Sequence, residues 1–325
     1  MAAPKVSVIM PAYKAADFIG LAIASVRAQT LQDWELIIVD DCSPDDTAAA
    51  AMAAAGGDPR VKLVRADQNG GVARARNLGN AHAAGTWIAV LDSDDAFDPS
   101  RLEVLVSSAE EAGLDLIADD MLLVQFATLM GDGTSYLGRA GTGLKPVDLP
   151  AWLEGNRAGI RTPMLGYLKP VVRREFLARN KIAYVPELRV AEDCWFVADM
   201  LAAGARFALH PAPLYRYAIR PASLSRTRGD NVYTLQRSVY GPFLQRHSGK
   251  LSRADLRAVR RHESALKSAE AFEGFAMAVR ARNLAGAIGW IVSRPQAALY
   301  LTRPVTARLE RLAKRFGYRP GLRVG

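Results

Sequence analysis

Apolar positions in the first third of this chain come in short unbroken blocks, and between the blocks they recur at helical spacing. Val6-Ser7-Val8-Ile9-Met10 is a compact apolar run stopped by Pro11, which predicts a buried strand. Ile19, Ala22, Ile23 and Val26 then fall on one helical face, with Asp17 as the expected N-cap. Trp34 to Val39 is a second strand pattern ending in Asp40-Asp41-Cys42-Ser43-Pro44. Residues 45–55 are alanine-rich and helix-compatible, closed by Gly56-Gly57. Val61 to Val64 is a third strand, Asn69-Gly70-Gly71 breaks the chain, and residues 72–84 resume as a helix before Gly85. Thr86 to Leu91 is a fourth buried run, followed by Asp92-Ser93-Asp94-Asp95. Pro99 opens a helix to about Ala112, and Leu114 to Ala118 is a fifth strand.

Strands that alternate with helices and are apolar throughout imply a mostly parallel α/β sheet covered on both faces. Ligands of such sheets sit beyond the carboxyl ends of the strands. Three strand ends here carry polar groups: Tyr13, then Asp40 and Asp41, then Asp92 to Asp95. Neither a G-x-G-x-x-G after the first strand nor a G-x-x-x-x-G-K-[ST] occurs, which argues against a dinucleotide dehydrogenase and a P-loop nucleotidase. Three clustered carboxylates repel one another unless a cation sits among them. A divalent metal carrying a diphosphate would relieve this; an acidic turn capping the next helix is the plainer reading of the same residues.

In that order, Val6 to Tyr13, Glu35 to Ser43, Asn69 to Asn77 and Leu91 to Asp95 resemble the signature of family 2 glycosyltransferases with the GT-A fold. The resemblance is close over residues 4–120 and looser to about 225, and it points toward exopolysaccharide-type members. It implies a nucleotide-diphosphate-sugar donor, a UDP-sugar with UDP-glucose foremost, and transfer with inversion to an acceptor hydroxyl on a saccharide or lipid-linked saccharide. Carried over by position, Pro11 and Tyr13, with Ala12 between them, would line the nucleoside pocket. Asp41 would contact the base, with Asp40 beside it, and Arg76 would lie near the base or phosphates. Asp92 would face the ribose or a metal-bound water, with Ser93 next to it. Asp94 would ligate Mn2+ or Mg2+, supported by Asp95. Two positions depart from the family pattern: Lys14 where Asn is common and Cys42 where Gly is common. The alternative reading is a scaffold that retains the nucleotide-sugar fold without transferring.

An inverting transfer needs a base on the acceptor side. The resemblance puts it at Asp193, with Glu192 orienting the acceptor or Asp193. The pair leads into a helical pattern through Trp195 and Phe196, where Trp195 suits either the core or a sugar stack. Arg161 to Tyr167 would suit an acceptor wall, and Arg220 and Ser223 a lid or a plain basic loop. His210 stands as a third ligand at most, equally well as a strand-edge residue.

Charge separates two regions. Residues 226–325 carry 20 Lys/Arg against 6 Asp/Glu, whereas 1–225 carry 22 against 27. The expected organisation is a GT-A catalytic domain over 1–225 (nucleotide-sugar half 1–120, acceptor half 121–225) and a basic, mainly helical region over 226–325. Arg253, Arg257, Arg260 and Arg261 belong to it, as does an apolar stripe at Val305, Leu309, Leu312 and Phe316. That pattern fits an anionic membrane surface or a helical appendage with a solvated basic face; no nucleic-acid recognition motif accompanies it. The apolar run Asn283 to Ser293 is too short to cross a bilayer. Two cysteines, Cys42 and Cys194, give no disulfide framework. With no signal-peptide pattern, the expected location is the cytoplasm, peripheral on the inner face of the plasma membrane.

Overall fold

The computed structural model describes residues 3–126, 129, 131–138, 141–158, 163–219 and 232–293. Arg161, Thr162, Arg220, Ser223 and the stripe from Val305 to Phe316 lie outside them.

The chain begins with β1 (Val6–Ala12), α1 (Ile19–Arg27), β2 (Trp34–Asp40), α2 (Thr47–Ala55), β3 (Val61–Arg65), α3 (Val72–His82) and β4 (Trp87–Val90). β1 pairs in parallel with β2 from Val6↔Trp34 to Ala12↔Asp40, and on its other edge with β4. Every residue of β1, β2 and β4 is buried, the pattern of strands covered by helices on both faces. Asp17 does not cap α1. The N-cap is Phe18, without a side-chain bond, because the Ala15 carbonyl already accepts from the Phe18 and Ile19 amides.

The second half adds β5 (Ala96–Phe97), α4 (Arg101–Glu111), β6 (Leu116–Gln125), β7 (Thr134–Ser135), β8 (Lys145–Pro146) and α5 (Leu149–Gly155). A 3-10 turn at Leu165–Tyr167 leads to β9 (Val171–Arg173), α6 (Arg174–Asn180), α7 (Glu192–Ala202) and β10 (Phe207–Ile219). The main sheet runs β3-β2-β1-β4-β9-β6-β10-β5. Strand order reverses between β1 and β4, which opens a crevice at their carboxyl ends. β9 is wedged antiparallel between β4 and β6, with Ala89↔Val171 and Ile117↔Val171 in register. Because it runs antiparallel to β4, its start lies at the crevice where β4 finishes.

The C-terminal helices are α8 (Val232–Ser238), α9 (Tyr240–Arg246), α10 (Arg253–Arg280) and α11 (Leu284–Ser293). Their apolar residues join the sheet's core instead of forming a second one: Val239, Tyr240, Phe243, Val259 and Leu266 belong to the same buried cluster as Val8 and Leu36. Trp195 on α7 is 1% exposed and makes edge contacts with Tyr240 and Phe243, so it is a core residue and not a sugar-stacking one. Asp199 on the same helix bonds Arg246 and His247 of the segment after α8. The helix that begins with Glu192-Asp193 is thus clamped from behind.

Candidate active site

Four strand or helix ends meet at the crevice: the loops after β1, β2 and β4, and the N-terminus of α7. After β2, Asp41 turns back to the start of α3. Its Oδ1 accepts from the Gly70 amide at 2.8 Å and its Oδ2 from the Gly71 amide at 2.7 Å. Gly71 has φ +83° with ψ 168°, a backbone conformation that glycine adopts freely and a side chain would strain. Asp40 is fully buried, accepts from the Ser43 amide at 3.0 Å, and faces Arg65 at 3.3 Å. Both acids therefore build the loop walls. Pro11 and Ala12 are buried beneath the crevice, and Tyr13 stands 42% exposed above it, with the Lys14 ammonium 5.4 Å from its ring centre.

The two departures from the family pattern share a backbone property. Lys14 has φ 52° and Cys42 has φ 56°, the left-handed region that glycine adopts without strain and asparagine with little. The family's preferred residues at these positions thus have a conformational reason, and this chain holds the same backbone with costlier residues.

The chemistry concentrates one layer deeper. Arg76 lies on the buried face of α3, 1% exposed, and a buried guanidinium needs partners. It has three. One terminal nitrogen donates to Asp92 at 2.8 Å, the other to Asp193 at 2.8 Å and to Glu192 at 3.0 Å. Lys169, 6% exposed, completes the arrangement: its Nζ lies 2.7 Å from Asp193 Oδ2 and 3.1 Å from Asp92 Oδ2. Asp92, Arg76, Asp193 and Lys169 form a closed ring of alternating charge, each carboxylate bridging both cations. Arg76 is thus an internal clamp on three acids. Lys169 is itself held: the Arg101 guanidinium, paired in both directions with Asp119 at 2.8 and 2.9 Å, donates to its carbonyl at 2.6 Å.

Electrostatics follow this geometry. Burial opposes ionisation of Asp92, but the charges of Lys169 and Arg76 outweigh it and hold the carboxyl below its ordinary range. Burial likewise opposes charging Lys169, and Asp193 and Asp92 more than restore it. Glu192 is shifted upward, first by burial and then by the Asp193 charge beside it. Asp95 is pushed well up by burial and by Asp94 and Asp92; it accepts from the Tyr215 hydroxyl at 2.7 Å and from the Ala218 amide at 2.8 Å. It ties the end of β10 to the acidic cluster.

Asp94 is half-buried between these committed neighbours, beside the half-buried Ser93. Among the described residues, no three His, Cys, Asp or Glu side chains are gathered so that they could hold a metal unaided. His210 does not join the cluster: it lines a surface cleft with Ser108, Glu111 and Gly143, and burial lowers its proton affinity. One carboxylate completed by substrate phosphates is nonetheless how Mg2+-type ions are commonly held, so the donor set fits such an ion bound together with a diphosphate.

Residues 7–127 match the profile of "Glycosyl transferase family 2". The succinoglycan biosynthesis protein ExoO of Rhizobium meliloti is 36% identical over 96% of this chain and 88% of its own length. The chain belongs to glycosyl transferase family 2. Its resemblance to exopolysaccharide-type members thus extends well past the nucleotide-sugar half, through the basic helices. Two solved structures share the fold. S. aureus TarS 1–349 in complex with UDP-GlcNAc has a TM-score of 0.61 at 19% identity, covering 90% of this chain and 92% of that one. The mannosyltransferase PcManGT of Pyrobaculum calidifontis, in complex with GDP-Man and Mn2+, has a TM-score of 0.54 at 18% identity, covering 94% and 81%. This family 2 glycosyltransferase therefore has a GT-A architecture, a mostly parallel mixed sheet with a helical C-terminal region.

Lys169 escaped the sequence reading. It lies in Leu168-Lys169-Pro170, where a lone lysine before proline has no sequence partner. The one available signal is a charge entering an otherwise apolar strand start.

Proposed function

We propose that this glycosyltransferase moves a sugar, with inversion, from a UDP-sugar (UDP-glucose foremost) to a hydroxyl of a lipid-linked saccharide in exopolysaccharide or cell-surface glycan synthesis. The observation that carries the reading is the convergence of Asp92, Arg76, Lys169, Glu192 and Asp193 at the carboxyl ends of β1, β2 and β4. Pro11, Ala12 and Tyr13 with the Asp41-held glycine loop form the nucleoside side. Asp94 would hold a divalent cation with the donor's diphosphate; the bound ion would supply charge neutralisation of the leaving group.

On the acceptor side Asp193 is the base. The attacking hydroxyl forms the new bond at the anomeric carbon, the sugar–phosphate bond breaks with its electrons staying on the diphosphate, and the hydroxyl proton passes to Asp193. A carboxylate has about four lone-pair sites. Asp193 gives one per oxygen to Arg76 and Lys169, which fixes its plane and leaves capacity for the acceptor. Glu192, kept more basic by burial and by Asp193, orients the acceptor or its partner. The N-terminus of α7 places both acids at the crevice edge. The basic C-terminal region faces an anionic membrane surface, from which a lipid-linked acceptor would be presented at the inner face of the plasma membrane.

The test is UDP release from a panel of UDP-sugars with Mn2+, with and without lipid-linked acceptor, for the wild type and Asp193→Ala. Acceptor-dependent release that the substitution abolishes is the expected result. Nucleotide binding with no transfer to any acceptor would favour the scaffold reading.

A further inference from the structure

α11 presents a water-facing side that is apolar along its length. Its ten residues include no charged side chain. Ala285, Ile288, Gly289 and Val292 are all exposed and fall at i, i+3, i+4 and i+7, one helical face. Ile288 is 62% and Val292 74% exposed. The opposite side packs on α10: a Cβ on Gly274 would stand 2.4 Å from the Trp290 ring. The last turn of α10 and the connection to α11 expose Met277, Val279, Arg280 and Arg282, and no Asp or Glu occurs from Gly274 to Ser293. Single exposed apolar residues are ordinary; a whole helix face beside two arginines is not.

We infer that this face of α11 and the arginine-bearing turn before it insert into the headgroup region of an anionic bilayer. The inference rests on the membrane reading above but assigns the contact to a different element, the α10–α11 hairpin instead of the basic stretch beyond it. Length decides the mode. Ten residues span about 15 Å, half of a hydrocarbon core of about 30 Å, so the helix lies in the interface and does not cross it. Among the described residues, no helix is long and apolar enough to cross a membrane. Charge decides the occupant. Residues 294–325 carry eight Lys/Arg and one acid, Glu310, so they share the sign of the tip. A bilayer rich in anionic lipid complements both. α10, about 40 Å long by its 28 residues, roots the hairpin in the core through Val259 and Leu266. The hairpin therefore docks as part of the enzyme body.

Trp290 is a built-in reporter, half-buried, while Trp34, Trp87, Trp152 and Trp195 are at most 2% exposed. The full chain is mixed with phosphatidylglycerol vesicles that carry brominated acyl chains, and with phosphatidylcholine vesicles as the neutral arm. The expected result is binding to the anionic vesicles with quenching of tryptophan emission that Trp290→Phe removes. Ile288→Glu/Val292→Glu should weaken that binding by about tenfold or more, with an unchanged thermal midpoint. If the wild type binds but emission is not quenched and the double variant binds equally well, the hairpin assignment is wrong while the membrane reading stands. If the wild type binds no vesicle, both fail. A lipid-free dimer that the double variant dissociates would give the face to a second copy and overturn the inference.

Discussion

Replacing Lys169 with methionine tests whether the charge ring is one electrostatic unit. The substitution keeps most of the apolar stem and deletes the cation that bridges Asp92 and Asp193. Breaking a buried ion pair from one side costs about 3–5 kcal/mol. Solvent screens little at Lys169, which is 6% exposed, but the Asp92 side chain is a quarter exposed and Arg76 keeps its hold on both acids. The expected loss is therefore near the low end, about 3 kcal/mol. In a chain of this size that lowers the thermal midpoint by roughly 4–5 °C. The sign with pH is defined. Asp92 is depressed in the folded state, so its contribution is present above the unfolded carboxylate value and is lost as pH falls through the folded one. Lys169 is raised, so its contribution is present below the unfolded lysine value and is lost only as pH rises through the folded one. Deleting Lys169 relaxes the depression of Asp92, so the gap between wild type and variant is widest near neutrality and narrows on acidification below about pH 4. Calorimetry across that range reads it directly. A cycle with Asp193→Asn should show coupling of about 1–3 kcal/mol. A pH-independent deficit, or a cycle without coupling, would refute the ring as an energetic unit.

Other outcomes follow from the same structure. Asp193→Asn keeps the shape of the group but not its basicity, and should lower the transfer rate by about 10²–10⁴ while UDP binding by calorimetry is unchanged; equal loss of both would make Asp193 a donor-site residue. Asp94→Ala should remove the metal dependence of UDP binding in the same titration, and a wild type indifferent to Mn2+ would contradict the assignment. Cys42→Gly should raise stability by about 1 kcal/mol, because φ 56° is strained for cysteine and not for glycine; a lower thermal midpoint would count against the strain argument. Gly79→Ala gains about 1 kcal/mol of helix propensity, yet its Cβ would stand 2.4 Å from Ile9 Cγ2. Denaturant unfolding should show net destabilisation, as overpacking costs about 1–3 kcal/mol.

The sequence by itself determined the strand–helix alternation, the parallel half of the sheet and the acids at its carboxyl ends. Those features are local: apolar blocks such as Leu36 to Val39 bury themselves wherever the strand pairs, and the turn that follows must be polar. It also marked Glu192-Asp193 as the start of a helix, since adjacent acids suit an N-terminus. What it could not determine is which charges neutralise which. Arg76 and Asp193 are 117 positions apart, and Lys169 comes from the segment just before a strand inserted antiparallel between β4 and β6. That insertion brings the start of β9 to the crevice at the carboxyl ends of β4 and the strands parallel to it. Only the tertiary structure decided it, because strand direction within a sheet depends on pairings between distant segments, and no pattern along three residues, Val171 to Arg173, encodes them. The same holds for the C-terminal region. Its composition left open a membrane-facing segment or a helical appendage packed on the catalytic domain; only the fold showed Tyr240 and Phe243 closing over Trp195, which makes the helix bearing Asp193 part of one core.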